Sequence, residues 1–283
     1  FRSDFDTNAV FYNKEIFDKA GVEYPSDNMT FEDFKAKCEE LKNAGLPEGT
    51  YPTAVNRNSG QTTYDASVFA NGGYFLSEGN EKSGWDDPKT IEAVQSWLDL
   101  VSEGLSPTLD QMADTDPDAM FQGGQLAMYL SGNYMIASYD KTLEGKYGIA
   151  KRPTYNGKDT DIINGLAFSV SANTKHPEEA TDFALWLGSE EAQKINGEAG
   201  VCISARNDCQ QYFVDAHEGL NCQIFLDNVA NAELLPHCKI TSQLGQVEKK
   251  YLEPAWKGEV KLEDACKSVA EEQNKLLEEM NAK

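Results

Sequence analysis

What most constrains this chain is an alternation. Short apolar runs recur between longer stretches that carry the period of an amphipathic helix, and a chain so patterned folds as an α/β protein. Ala9-Val10-Phe11-Tyr12 reads as a strand, as do Thr53-Ala54-Val55, residues 126–130, 147–153 and 166–172. Thr30 with Asp33 three residues on predicts a capping box, opening a helix whose inner face is Phe34, Cys38 and Leu41. Asp87-Pro88 opens a second helix, with Ile91, Val94, Leu98 and Val101 as its apolar stripe. Pro117 opens a third, which Gly123-Gly124 ends. After His176-Pro177, the residues Ala180, Phe183, Ala184 and Leu187 share one face. Near the C-terminus Leu262, Cys266, Val269, Leu276 and Met280 form an inward face.

A length of 283 residues lies where single cores stop growing, so two lobes are expected. Against 47 acidic side chains stand 25 basic ones, a net charge of −22. That balance excludes a nucleic-acid binder, which needs clustered Lys and Arg, and a basic membrane-surface helix. No apolar run reaches the roughly 18 residues of a membrane span. Of six cysteines, four fall between Cys202 and Cys238, without a C-x-x-C pair and with only His217 and His237 nearby. A zinc site is not expected there; disulfides and buried free thiols both remain open.

No motif for catalysis or a cofactor is present: G-x-S-x-G and the phosphate-cradling G-x-x-x-x-G-K-[ST] are both absent. Asp114, Asp116 and Asp118 alternate like the front of a calcium loop. Ala119 stands where such a loop needs Gly, and Gln125 where it needs Glu, so these acids read as a solvated helix N-terminus. The informative residues lie at strand ends, where open α/β sheets bind ligands. They are Asp6, the stretch from Asn56 through Asn58, Ser59 and Thr62 to Tyr64, then Gly132-Asn133-Tyr134, and Asn164-Gly165. Asp, Asn, Gln and Thr offer paired donors and acceptors to neighbouring hydroxyls, and a Tyr face suits the C–H face of a sugar ring. Taken singly, Tyr134 also reads as a packed core ring and Asn164-Gly165 as a turn.

The segment Asp4-Phe5-Asp6-Thr7-Asn8-Ala9-Val10-Phe11-Tyr12-Asn13-Lys14 through Gly21 resembles the signature of extracellular solute-binding proteins of ABC importers, the maltose-binding-like family 1. Thr30-Phe31-Glu32-Asp33-Phe34, Ala70-Asn71-Gly72-Gly73 and Phe121–Met128 with Ser131-Gly132-Asn133-Tyr134 are similar to further family motifs in the family's order. The resemblance implies a periplasmic-binding-protein-like fold of type II, with two α/β lobes closing on a ligand. It also implies that the opening of the N-terminal lobe is missing from this sequence. Residues 1–8 would be the hinge segment, 9–162 the C-terminal lobe, 163–215 the return into the N-terminal lobe, and 216–283 terminal helices packing on the C-terminal lobe.

Carried over by position, the resemblance implies ligand contacts from Asp6, Asn8, Asn58, Ser59, Thr62, Tyr64, Gly132, Tyr134, Asn164, Gly165 and Gln243. Tyr134 stands where the family often has a stacking Trp, and Gln243 near a position that can carry another aromatic. The implied function is carbohydrate binding by hinge closure, with delivery to the importer's membrane subunits and no cofactor or chemistry. The protein would be an extracytoplasmic monomer held to the membrane only through a lipid anchor on the missing N-terminus. A glycoside-acting enzyme, or a binder of a polyamine or peptide, is the alternative.

Overall fold

The computed structural model describes residues 1–56 and 59–282. In chain order the elements open with β1 (Arg2–Asp6), β2 (Asn8–Asn13), α1 (Lys14–Ala20), α2 (Phe31–Asn43), α3 (Asp65–Asn71), α4 (Pro88–Ser102), α5 (Pro117–Gln122), β3 (Met128–Gly132), α6 (Ile136–Leu143) and β4 (Tyr147–Lys151). Then come β5 (Asp161–Ile162), β6 (Asn164–Ala167), α7 (Pro177–Leu187), α8 (Glu190–Glu198), β7 (Ile203–Ser204) and α9 (Gln210–Ala216). The chain continues through α10 (Gln223–Asp227), β8 (Ala232–Glu233), α11 (Thr241–Trp256) and α12 (Leu262–Asn281). Among the described residues no helix is long and apolar enough to cross a membrane.

Two three-stranded antiparallel sheets, ordered β3-β2-β4 and β6-β1-β7, organise the molecule. Side chains alternate across a strand, and here both faces of the first sheet are covered. Val10, Met128, Leu130 and Ala150 enter one cluster with α2, α3, α4, α11 and α12. Their neighbours Ala9, Phe11, Tyr129, Tyr147 and Ile149 enter a second cluster with Phe121, Tyr139 and Phe225. Burial on both faces explains why these strands read as continuous apolar runs rather than alternating ones. Phe11 is the hub of the second cluster, with ring centroids 5.1 Å from Tyr139 and 6.2 Å from Phe225.

Thr30 accepts from the Asp33 backbone amide while Asp33 reaches back, which is the capping box anticipated for α2. Elsewhere local patterns shift. The run Thr53–Val55 is extended but belongs to no strand: Thr53 N–H donates to Leu105 O at 3.1 Å and Val55 N–H to Ser106 Oγ at 3.0 Å. The strand anticipated at 126–130 lies at Met128–Gly132, and the one at 166–172 is β6 at Asn164–Ala167. β6 is short because its one partner is β1, whose register runs from Asp6 opposite Asn164 to Arg2 opposite Ala167. In α4 the buried line is Ala93, Val94, Trp97 and Leu100, with Ile91, Leu98 and Val101 half-buried beside it. In α12, Leu277 rather than Leu276 or Met280 completes the inner face. All six cysteines are free thiols, four of them buried, so no disulfide staples the 202–238 stretch.

The largest departure is α7. Of the anticipated inner face only Ala184 is buried, while Phe183 is 59 % exposed and stacks on the exposed Trp186 with ring centroids 6.0 Å apart. All four residues of β6 are exposed, Leu166 by 68 %. Ile195 and Val201, in and just after α8, are likewise exposed apolar side chains.

Candidate functional site

Between β1 in one sheet and β2 in the other stands a single residue, Thr7. It is buried and tied on both sides: its N–H donates to Asn133 Oδ1 at 3.1 Å and its hydroxyl to Phe225 O at 2.9 Å. The chain therefore changes sheets at a fixed point.

Asp6 ends β1. Its carboxylate accepts from Gln61 Nε2, and Gln61 Oε1 accepts from Asn164 Nδ2 at 2.5 Å, so one amide spans from β1 to β6 across the mouth of the junction. Burial pushes the Asp6 carboxyl up to about 6, against the Gln61 bond and with help from Asp4 and Asp161. The turn carrying Gln61 is held from beneath by the buried Arg152, which donates to Gln61 O at 3.3 Å and to Thr63 O. Within the turn Thr62 and Thr63 hydroxyls both donate to Ser59 O, at 3.1 and 2.9 Å.

Tyr134 follows β3 and is 46 % exposed, so it is not a packed core ring. Its ring lies on Gly132, where an added Cβ would come within 2.2 Å of Tyr134 Cε1; only glycine lets the ring rest there. Below it, Asp118 accepts from Tyr139 at 2.6 Å, Ser131 at 3.2 Å and Tyr129 at 3.5 Å. Burial raises its carboxyl, and the three hydroxyls oppose that. Asp118 is thus a half-buried acceptor for three hydroxyls, not the solvated helix start anticipated for it; Asp116 is the residue that caps α5, accepting from Ala119 N–H at 3.1 Å.

Behind the 59–64 turn opens a cavity of about 420 Å³, walled by Tyr64, Phe75, Trp85 and Trp256, with Asp65 and Glu248 on its lining. Tyr64 stacks on Trp256 with centroids 6.0 Å apart and meets Trp85 edge-on at 6.2 Å. Gly60 is required by packing, since a Cβ there would stand 2.2 Å from Asp65 Oδ1.

The structure thus brings together Asp6, Ser59, Thr62, Gly132, Tyr134 and Asn164 around the junction, with Thr62 buried and bonded within its own turn, and sets Tyr64 in the wall of the adjoining cavity. Gly165 pairs with Phe5, and a Cβ there would stand 3.0 Å from Asp4 O. Two expectations need correction. Asn8 is fully buried: its N–H and Nδ2 donate to Asp161 at 2.8 and 3.0 Å, which makes it a strut of the junction. Gln243 is exposed on α11 and does not line the cavity, although its neighbours Thr241, Leu244 and Gly245 do. Asn58 lies outside the described residues. Gln61 lay within the singled-out Asn56–Tyr64 stretch, whereas sequence reading missed Asp65, Asp118, Trp85, Glu248 and Trp256 as site residues. Leu244, Glu248 and Leu252 stand four apart on one helical face, so a carboxylate amid core residues was a usable signal for Glu248.

Two sheets joined through one tied residue, with polar side chains and an exposed ring near the joint, are the arrangement of a two-lobed α/β fold. The chain belongs to the bacterial extracellular solute-binding protein family, whose profile matches residues 2–194. It is 29 % identical over 197 residues to the arabinooligosaccharide-binding protein of Bacillus subtilis, covering 66 % of this chain and 44 % of that protein. An ABC transporter extracellular-binding protein of Pyrococcus horikoshii is also 29 % identical, over 212 residues, covering 71 % of this chain and 45 % of it. The chain therefore spans about half the length of these curated relatives.

Among solved structures, an ABC substrate-binding protein of Listeria monocytogenes in complex with cycloalternan superposes with a TM-score of 0.84 at 22 % identity, over 98 % of this chain and 71 % of that one. A receptor of Streptomyces glaucescens, solved unliganded and in complex with acarbose, gives 0.81 at 21 % identity over 98 % and 70 %. The fold is that of two-lobed periplasmic sugar-binding proteins, and this chain carries part of it.

Proposed function

We propose that this chain belongs to the substrate-binding component of an ABC importer, taking a carbohydrate in the cleft at the β1–β2 junction and performing no chemistry on it. The observation that carries this reading is the exposed Tyr134 ring seated on Gly132 beside the Asp6–Gln61–Asn164 bridge. A flat apolar face next to paired donors and acceptors is what a sugar ring requires. The ligands of the Bacillus, Listeria and Streptomyces proteins, an arabinooligosaccharide, cycloalternan and acarbose, point the same way. Thr7 is the hinge in this proposal, and ligand contacts to both lobes favour the closed state; moving from mostly open to mostly closed needs about 5 kcal/mol of differential binding. The closed form is what the importer's membrane subunits recognise outside the cytoplasm.

We place residues 1–8 at the hinge, 9–162 in the second lobe, 163–215 in the first, and 216–283 as terminal segments packing on the second. The apolar face of Leu166, Phe183 and Trp186 is where the remainder of the first lobe would pack. A thermal-shift and calorimetric screen of mono- and oligosaccharides tests the function, run on this chain and on the protein with its first lobe complete. The longer form is expected to bind a sugar at micromolar or better affinity, and this chain much more weakly or not at all. Micromolar sugar binding by this chain alone overturns the division of labour; no sugar binding by either overturns the reading.

Within the same reading, Tyr134→Ala is expected to weaken the sugar affinity of the longer form at least tenfold with little change in folding stability, because the ring is half exposed. Gly132→Ala is expected to do the same by lifting the ring from its seat. A Tyr134→Ala variant that binds like its parent removes the ring from the site.

A further inference from the structure

We propose that the cavity behind the 59–64 turn receives a protonated amino group, so that the ligand of this cleft is an amino sugar; this rests on the carbohydrate reading above. The cavity is walled by aromatic rings, and two carboxylates on its lining, Asp65 and Glu248, keep oxygens that take no donor from the described residues. Asp65 is only 7 % exposed, and its carboxylate takes no hydrogen bond among the described residues. Glu248 takes both its donors, Trp85 Nε1 at 3.1 Å and Gln273 Nε2 at 2.8 Å, on Oε1, which leaves Oε2 without one among the described residues.

A neutral hydroxyl brings one donor and two lone pairs, so a pocket for neutral sugars has to mix donors with acceptors. An ammonium brings three donors and no acceptor. It satisfies both carboxylates at once, and it gains from the faces of Tyr64, Trp85 and Trp256. An inorganic cation fits less well: among the described residues no group of three or more His, Cys, Asp and Glu is arranged to hold a metal.

The surrounding charges agree. Asp65 opens α3, and from α11 Glu248 faces it across the lining; Lys249 stands exposed at the rim. Arg152, buried near Asp65, spends its hydrogen bonds on Gln61 O and Thr63 O and lies over Trp97 at 5.8 Å, so its charge favours the ionised form of Asp65 without donating a hydrogen bond to it. Burial, followed by the charge of Glu248, pushes the Asp65 carboxyl up to about 7. An unpaired carboxylate held in that state is what a desolvated ammonium stabilises.

The test compares three trisaccharides by titration calorimetry at pH 7.5 on the protein with its first lobe complete: the glucosamine trimer with free amines, its fully N-acetylated counterpart, and maltotriose. Spermidine serves as an amine without a sugar ring. The expected result is that the free-amine trimer binds at least tenfold tighter than the N-acetylated one, and that Asp65→Asn removes this preference. Glu248→Gln, on a different element, gives the same reading if Asp65→Asn does not yield folded protein. Equal binding of the two trimers, or tighter binding of maltotriose, overturns the amine inference and leaves the carbohydrate reading standing. Spermidine binding that Asp65→Asn abolishes, with no trisaccharide bound, supports the ammonium site and overturns the sugar. Binding of none of the four overturns the inference.

Discussion

Asp161→Ala is expected to cost about 3–5 kcal/mol of folding stability, the largest effect of any single substitution at the junction. Asp161 sits at the start of β5, almost wholly buried, and accepts four hydrogen bonds. They come from Asn8 N–H at 2.8 Å, Asn8 Nδ2 at 3.0 Å, Ile162 N–H at 2.8 Å and Asn228 Nδ2 at 3.0 Å. Truncation strands these donors where no water reaches, and each unmet buried donor costs about 1–3 kcal/mol before relaxation. It also removes a counter-charge from the buried Arg152, whose guanidinium burial already drives toward the neutral form. Against a typical total of about 5–15 kcal/mol, the loss is a large share. Asp161→Asn keeps one acceptor and turns an amide toward donors, so it is expected to fall between parent and Ala. Urea unfolding measures both; a loss below about 1 kcal/mol for Asp161→Ala would show that the knot around Thr7 is held by apolar packing instead.

This knot also marks the limit of what could be read from the sequence. The α/β alternation, the Thr30–Asp33 cap and the buried strands were legible because each is local: a capping box spans four positions, and a strand buried on both faces is simply apolar. Asn8 and Asp161 lie 153 positions apart, so nothing in the neighbourhood of Asn8 says that its amide is already taken. Asp118 looked solvated because its partners Ser131 and Tyr139 arrive from β3 and α6, beyond its own helix. For α7 the pattern of Ala180, Phe183, Ala184 and Leu187 does have amphipathic spacing, yet periodicity states only that a face is apolar. Whether the face is covered depends on a partner, and Phe183 stays 59 % exposed with its own helix neighbour Trp186 stacked on it. The site residues show the same division: Tyr134 and Asn164 were visible as strand-end polar and aromatic groups, whereas Asp65 and Glu248 become a pair only through the packing of α3 against α11.

Stability is expected to fall as the pH rises from about 4 to about 8, chiefly through Asp65. In the unfolded chain an aspartate titrates near 3.9, and burial raises Asp65 to about 7 and Asp6 to about 6 in the folded protein. Below the unfolded value both states hold the proton and neither residue costs anything. Between the two values the folded state keeps a proton that the unfolded state has released, so each step up in pH favours unfolding. Above about 7 the cost is complete, on the order of 3–4 kcal/mol for Asp65 and less for the partly exposed Asp6.

Burial raises Glu248 and Asp118 in the same direction, whereas the lowered carboxyls of Asp33, Asp208, Glu263 and Glu272 are surface groups whose opposing effect is small. Asp65→Asn is therefore expected to match its parent near pH 4, exceed it at pH 8, and flatten the slope between them; urea midpoints across that range read the difference. A variant as steep as its parent would assign the slope to Asp6, Asp118, Glu248 and Asp161, which burial also raises, instead. The same burial gives the amine ligand its own signature. A cation that pairs with ionised Asp65 offsets the loss, so binding of the free-amine trimer is expected to pass through a maximum with pH, rising as Asp65 ionises and falling as the sugar amine loses its proton, while a neutral sugar shows no such maximum.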